Sequence, residues 1–596
     1  MKTKFDISQN LSHITVFGLV VVAAITALCC FPSNILSWDT FGYYLYLPQL
    51  FIYNDLGIHD TQHLQAIVDQ YENTATLYQI WQTDTGHWLI RYTAGQAVLF
   101  APFFLIAHAY VLLTGGVADG FSFPYQIAIA VGCFLYFIAA MFLLRSILRH
   151  FFSEKNTALT LCLLFLGTNL FANTVFSIAG IHAQLFFLYT VLIYFTIRWH
   201  QRPSWLNLLL IAVSAGLIIL TRPTDIICLL IPVLWNAQRP WREFFGKFTQ
   251  HWLQILTCGI IIGLIGSIQL LYWKSYADHW ILDSYNNPGE GMDFFHPHIK
   301  QTLISFRKGW FVYTPMMLLM LFGFAGAFRR GKECALACLA FLICNIYLVS
   351  CWSCWWYADS FGQRAYVQSY ALLALPLGFL VQSVAEWRKG FRIPAMVVLA
   401  LLCVLNLFQT WQYEKGIIDS KRMTKEAYFA NFFQTDPTAC DQRLLLIQRD
   451  VSGVEVMDST RNYVEHFVRA KIYKDDEGRT DSTKEFIPDL RIRYCDITST
   501  DHAWMRVVFT IKPTAPVSEN PGLLVATFQH KEGNYKSRTF PLPDTLTPNE
   551  WNTVEINYLT PEIRQADDEL CLYYWHQGKN PVYVQKIEAW ASDIRK

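Results

Sequence analysis

Long apolar runs, each ended by a polar or aromatic break, occupy the first 410 residues of the chain. Their cores lie at 14–32, 124–148, 159–175, 183–197, 206–220, 225–235, 255–271, 311–328, 335–350, 365–384 and 393–410. Runs of roughly 20 such residues let a helix cross a bilayer with its backbone satisfied internally. The connections alternate in character. One set is short and basic: Arg145/Arg149/Lys155, Arg198/Arg202, Arg239/Arg242/Lys247, Arg329/Arg330/Lys332 and Arg388/Lys389/Arg392. The other set is longer, aromatic and rich in Asp, Asn, His and Gly. The bias of basic residues toward the cytoplasm places the first set inside, together with Lys2 and Lys4. The run 92–113 breaks this alternation, because counting it as a span would put the basic set outside. It is expected to form a re-entrant or surface-lying helix pair, turned by Gly95, Pro102 and Gly115-Gly116. About eleven spans follow, with the N-terminus inside and the C-terminal part outside.

The first outer loop, from Ser33 to about Arg91, patterns as two short amphipathic helices, 41–53 and 61–71, lying on the bilayer. Other outer connections are 177–182, 221–225, 273–310 and 352–364. After residue 410 the hydropathy falls. Short alternating runs at 464–472, 504–511, 523–528, 554–559, 570–575 and 582–590, punctuated by Pro, Asn, Asp and Gly, predict a β-sandwich of jelly-roll type. The expected organisation is a polytopic helical domain at 1–411, whose first outer loop with its surface and re-entrant helices covers 33–115. A linker at 412–440 leads to a periplasmic β-sandwich at 441–596.

Composition supports several spans plus soluble mass: of 596 residues, 53% are hydrophobic and 16% aromatic. The 47 basic and 46 acidic residues nearly cancel, so position carries the information and no nucleic-acid partner is expected. No small-residue cleavage site follows the first apolar run, which is expected to stay as a helix. Most of the 15 cysteines lie in apolar spans as small hydrophobes. Cys351 and Cys354 form a CxxC inside an aromatic belt, read as interfacial packing. Trp504, Tyr573, Trp575 and Trp590 in the tail are either core or a sugar-stacking platform, with core favoured.

The candidate chemistry lies on the outer side. Asp39 follows the first span, and Arg222, Arg307 and Arg364 fall at the outer ends of other spans. An arginine at mid-helix would cost about 2.5–3.5 kcal/mol, so Arg222 belongs at a boundary or along a cavity. Arg307-Lys308 is a cationic pair on the side where basic residues are scarce. Asp359 and Gly362 frame Arg364. Guanidinium groups donate paired hydrogen bonds to phosphate and stabilise charge on a departing one. Asp39 suits the base that takes an acceptor's proton, with Tyr43, Tyr44 and His182 shaping the pocket. Plainer readings are a helix cap for Asp39 and snorkelling for the arginines. There is no P-loop, glycine fingerprint, HExxH or paired CxxC. Energy is therefore expected to arrive in a lipid-linked donor; a metal set is not assigned, and a divalent ion is left open.

At these residues the chain resembles the GT-C superfamily of membrane glycosyltransferases, above all bacterial relatives of protein O-mannosyltransferases and of the aminoarabinose transferases that modify lipid A. The likeness rests on Asp39-x-x-x-Tyr43-Tyr44, the first-loop segment Arg91-Tyr92-Thr93-Ala94-Gly95-Gln96, and the turn Thr221-Arg222-Pro223-Thr224. It also rests on the stretch Arg307-x-Gly-x-Phe-x-x-Thr-Pro315 and on Ser360-Phe-Gly-x-Arg364. The resemblance implies a polyprenyl-phosphate sugar donor, inverting transfer and Asp39 as base. The acceptor would be a protein, lipid or glycan at the outer face of a bacterial inner membrane. Two positions depart from the pattern. Thr40 stands where many relatives carry a second acid, leaving Asp55, Asp60 or Asp84 to fill that part. Thr93-Ala94 replaces a common proline pair. The rival readings are a flippase of lipid-linked sugars and a membrane-anchored glycan-binding or assembly protein.

Overall fold

A computed structural model describes residues 10–285, 290–449, 457, 461–530 and 533–594; Lys2 and Lys4 lie outside them. The chain divides into two compact units, one of helices up to Tyr285 with Asp293–Lys421 and Asn431–Thr438, the other 290–292, Arg422–Ala430 and the chain from Ala439 on.

The helical unit is a polytopic membrane fold. Among the described residues, seven helices are long and apolar enough to cross a bilayer: Leu11–Cys29, Gly95–Thr114, Phe123–Phe151, Ile181–Gln201, Trp252–Ala277, Arg364–Glu386 and Lys389–Glu414. Shorter apolar helices join them at Trp205–Thr221, Pro223–Leu234 and Ala335–Ser350. Arg364–Glu386 is the hub, with 83% of its apolar window buried, against 11% for both Trp252–Ala277 and Lys389–Glu414. Helices that expose leucine and isoleucine this freely have lipid for a solvent.

Two ends of the unit can be told apart. The first helix opens with the Ser12 amide donating to Glu154 (2.9 Å) and the Ser12 hydroxyl accepting from Arg145 (2.8 Å). Arg149 also pairs with Glu154 (2.8 Å), and Arg330 pairs with Glu386. The basic connections thus gather where the first helix begins. The first loop follows the other end of that helix. It holds helices Trp38–Tyr44, Tyr46–Phe51 and Gln62–Tyr71 and a small hairpin of Ile80–Gln82 and Trp88–Ile90.

Three expectations change. The run 92–113 is one unbroken helix, Gly95–Thr114, with Pro102 inside it, and not a helix pair. A proline costs a helix one hydrogen bond without ending it when packing holds both sides, and Phe103 here packs on Tyr136. The chain beyond this helix returns to the first loop, where the Gly120 carbonyl accepts from Tyr44 (2.5 Å). The run 311–328 is three short helices, Trp310–Tyr313, Pro315–Met320 and Gly323–Arg330. The Tyr313 carbonyl freed at the first break accepts from Asn406 (2.9 Å). The run 159–175 splits at Gly167 into Glu154–Leu166 and Leu170–Val175.

The second unit is a sandwich of two antiparallel sheets. One has the order Leu490–Arg493, Glu569–His576, Gly522–His530, Gly533–Pro541. The other runs Val464–Ile472, Val582–Asp593, Trp504–Pro513, Asn552–Leu559, with Arg479–Thr480 beside Val582. Alternate residues such as Val507, Phe509, Ala526, Phe528, Leu570 and Leu572 fill the shared core. All six predicted strands are present. Gly533–Pro541 escaped notice because its inward positions are few and its outward ones polar.

Candidate active site

Asp39 lies in the first turn of Trp38–Tyr44, directly after Trp38, whose φ of 53° is left-handed. A non-glycine residue held there stores strain of about 1–2 kcal/mol. One carboxylate oxygen accepts from Tyr92 (2.8 Å) and Tyr78 (2.9 Å), and the other from Arg364 Nη2 (3.0 Å). Atoms crowd the carboxylate on most sides, yet 38% of the side chain stays open to solvent, so it forms the floor of a recess. Burial pushes this carboxyl up. The Arg364 charge and the hydrogen bonds from Tyr92, Tyr78 and Arg364 outweigh it and hold the group below its usual range.

Tyrosines wall the recess. The Tyr43 and Tyr92 rings are 4.4 Å apart, and Tyr92 meets Tyr285 edge-on at 5.8 Å. Gly42 makes this possible, since a Cβ there would collide with the Tyr92 ring. Burial, then the Asp39 charge, pushes the Tyr285 phenol up to about 12; Tyr78 and Tyr92 move up for the same reasons. These hydroxyls stay protonated, and those of Tyr78 and Tyr92 donate to Asp39.

Arg364 ends a tightly clamped loop. Gly362 has φ 60°, and a Cβ on it would lie 2.9 Å from Tyr313 Cβ. Asn169 donates to the carbonyls of Phe361 (3.2 Å) and Gln363 (3.3 Å), and Ser360 Oγ to that of Gly362 (2.8 Å). Lys308 is buried and donates to the Ser360 carbonyl and, at 3.1 Å, to its hydroxyl. Burial first, then Arg364, pushes its amine well below the usual lysine range.

Arg222 follows the last turn of Trp205–Thr221. It reaches Asp225 (3.7 Å) and the Ala365 carbonyl (3.4 Å), with Tyr357 beneath its guanidinium at 5.8 Å. Asp225 is buried and accepts from Gln368 (3.4 Å), whose Oε1 lies 3.1 Å from His182 Nδ1. Arg222, Asp225, Gln368 and His182 therefore form one chain beside the residue that follows Arg364.

Other candidates point elsewhere. Tyr44 is buried among Phe100, Phe104 and Phe121. Arg307 stacks on Trp356 (4.2 Å) and donates to the Lys421 carbonyl (2.5 Å). Asp359 pairs with Lys421 (2.7 Å) and accepts from Ser420. The Arg91 amide closes the hairpin on the Gln79 carbonyl (2.8 Å). Asp55 binds His59, Asp60 caps Gln62, and Asp84 sits on the exposed hairpin turn. Tyr78, Tyr285, Asp225 and Gln368 were missed from sequence; with 30 tyrosines in the chain, only the contacts of the fold pick out Tyr78, on Asp39, and Tyr285, on Tyr92. No group of three His, Cys, Asp or Glu side chains suited to a metal exists among the described residues.

Residues 117–273 match the family model described as dolichyl-phosphate-mannose-protein mannosyltransferase. No curated protein sequence matches the chain. Among solved structures, ArnT from Cupriavidus metallidurans bound to undecaprenyl phosphate is similar at 13% identity and a TM-score of 0.41, over 65% of this chain and 63% of that one. The Archaeoglobus fulgidus oligosaccharyltransferase gives 12% and 0.37 over 73% and 61%, and the arabinosyltransferase EmbB from Mycobacterium smegmatis 9% and 0.34 over 98% and 64%. The chain spans less than two thirds of the length of each of these proteins. Motifs along the chain and a family model over residues 117–273 both make it similar to the GT-C membrane glycosyltransferases.

Proposed function

We propose that this chain transfers a sugar from a polyprenyl-phosphate-linked donor to a hydroxyl or amine on a protein, lipid or glycan, with inversion. The reaction would run at the outer face of a bacterial inner membrane. The observation that carries this reading is the Asp39 carboxylate, open to solvent at the floor of a recess and 3.0 Å from Arg364, at the end of the helical unit away from the basic connections. The matched family description, which names a lipid-phosphate-linked mannose, supports the donor class.

In this mechanism the acceptor's oxygen or nitrogen attacks the anomeric carbon while its proton passes to Asp39. The bond from the anomeric carbon to the phosphate oxygen breaks, and the lipid phosphate leaves with the electron pair. Arg364 and Arg222 offset its charge, and Tyr43 and His182 line the approach. Lys308 serves by fixing the loop that presents Arg364.

The test is transfer of radiolabelled sugar from purified polyprenyl-phosphate donors. A folded Asp39→Asn variant is expected to lose at least about a hundredfold in rate while still binding donor. Transfer at the wild-type rate by that variant would sink the mechanism.

A further inference from the structure

The sandwich holds a surface that the transfer reaction does not use: the outer face of the sheet containing Glu569–His576. Leu570, Leu572 and Tyr574 point into the core, so Cys571, Tyr573 and Trp575 point outward. The register sets Trp575 beside Leu523, Tyr573 beside Val525 and Cys571 beside Thr527. Thr527 in turn shares a hydrogen bond with Ser537 (2.6 Å). Val525, Thr527 and Cys571 are small and buried, so the middle of the face is closed and its solvent-accessible groups lie toward the two ends.

One end is aromatic. Phe486, 47% exposed, bridges to Trp575 and stacks on it at 5.8 Å and 22°, with Tyr573 at 6.0 Å. The other end is polar and linked. Arg491 donates to Gln529 (3.1 Å) and Glu569 (3.4 Å) and pairs with Asp489 (2.9 Å).

The other tryptophans of the sandwich are each buried or met by a cation. Trp504 is buried, the Trp590 face is covered by Arg506 at 4.3 Å, and Trp551 lies under Lys512 at 5.2 Å. Among the described residues, no cation is laid over the Phe486/Tyr573/Trp575 cluster.

From this arrangement we infer that the outer face of the four-stranded sheet binds a neutral glycan. The aromatic rings meet the apolar C–H face of a sugar, and Arg491, Gln529 and Glu569 offer planar, paired donors and acceptors to neighbouring hydroxyls. Charge selects against other ligands, because Arg491 and Arg493 are outnumbered by Asp489, Asp496 and Glu569. A face with this slight acidic excess has no net attraction for phosphates or acidic lipid surfaces. Three rings also fall well short of the roughly 800 Å² per partner of a stable protein interface. The inference does not depend on the transferase reading.

The experiment uses the full chain in nanodiscs on an array of neutral hexose and pentose oligosaccharides. Positive glycans are then titrated by intrinsic fluorescence at low and high salt. The expected result is binding that salt leaves unchanged and that Trp575→Ala and Tyr573→Ala each weaken about tenfold or more, with Trp551→Ala as wild type. Trp575→Phe, which keeps an aromatic face, should retain part of the affinity and guards against misfolding in the alanine variant. Absence of binding to every neutral glycan, binding lost at high salt, or binding untouched by both alanine variants would each overturn the proposal.

Discussion

Opposing forces meet at the Asp39 carboxyl, and their balance has a sign that can be measured. Burial favours the neutral acid, while Arg364 and the two tyrosine hydroxyls favour the anion and prevail. The folded value lies below the unfolded one. The stabilisation is therefore fully present above the ordinary carboxylate range and is lost as pH falls through the lowered folded value. If Asp39 is the base, the acid limb of the rate profile sits below that ordinary range too. Replacing Arg364 with Gln removes the largest force on the anion's side. The acid limb should then move to higher pH and the transfer rate at neutral pH should fall about a hundredfold; an unmoved limb in a folded variant would separate Arg364 from the site's electrostatics. At this scale the sequence was half legible. A carboxylate and arginines at span ends stand out because charges there need a reason, and Asp39 and Arg364 do meet. Arg307, equally conspicuous, is turned onto Trp356, and nothing in a linear pattern tells an arginine at an aromatic boundary from one in a recess. Asp225 and Gln368 escaped notice because their pairing closes only when two distant spans pack.

Among elements, most long uniform helices were legible, Gly95–Thr114 excepted, and the broken segments were not. Hydropathy averages over a window, so 311–328 gives the same signal whether it is one helix or three. The breaks are written in Thr314-Pro315 and in the glycine at Gly323, whose closeness to the Pro376 carbonyl leaves no room for a Cβ. The helix Gly95–Thr114 depends on a similar contact. A Cβ on Gly95 would collide with the backbone of Thr221, one residue before Arg222. Backbone cannot swing aside as a side chain does. Gly95→Ala should destabilise the helical unit by about 1–3 kcal/mol and weaken donor binding through Arg222. Thermal unfolding in detergent and a donor-binding titration check the two parts, and a variant as stable as wild type would show that the contact can relax.

For the whole molecule, the clustering of basic connections at one end gives the orientation a direct test. If that end is cytoplasmic, the sandwich lies outside, and the exposed thiol of Cys495 should react with a membrane-impermeant maleimide in intact cells. A Cys495→Ser control sets the background, and labelling only after permeabilisation would invert the orientation. The interrupted segment between Trp310 and Arg330 bears on how such a chain is made. Its freed Tyr313 carbonyl finds a partner in Asn406, and Gly323 finds its seat on Pro376. Both are synthesised long after the segment has left the ribosome. Until then three short helices with open backbone groups have no stable home in hydrocarbon. Biogenesis must therefore hold this stretch at the translocon, or shelter it among earlier helices, until the last span arrives, so that the end bearing Asp39 and Arg364 closes only as translation of the membrane domain finishes.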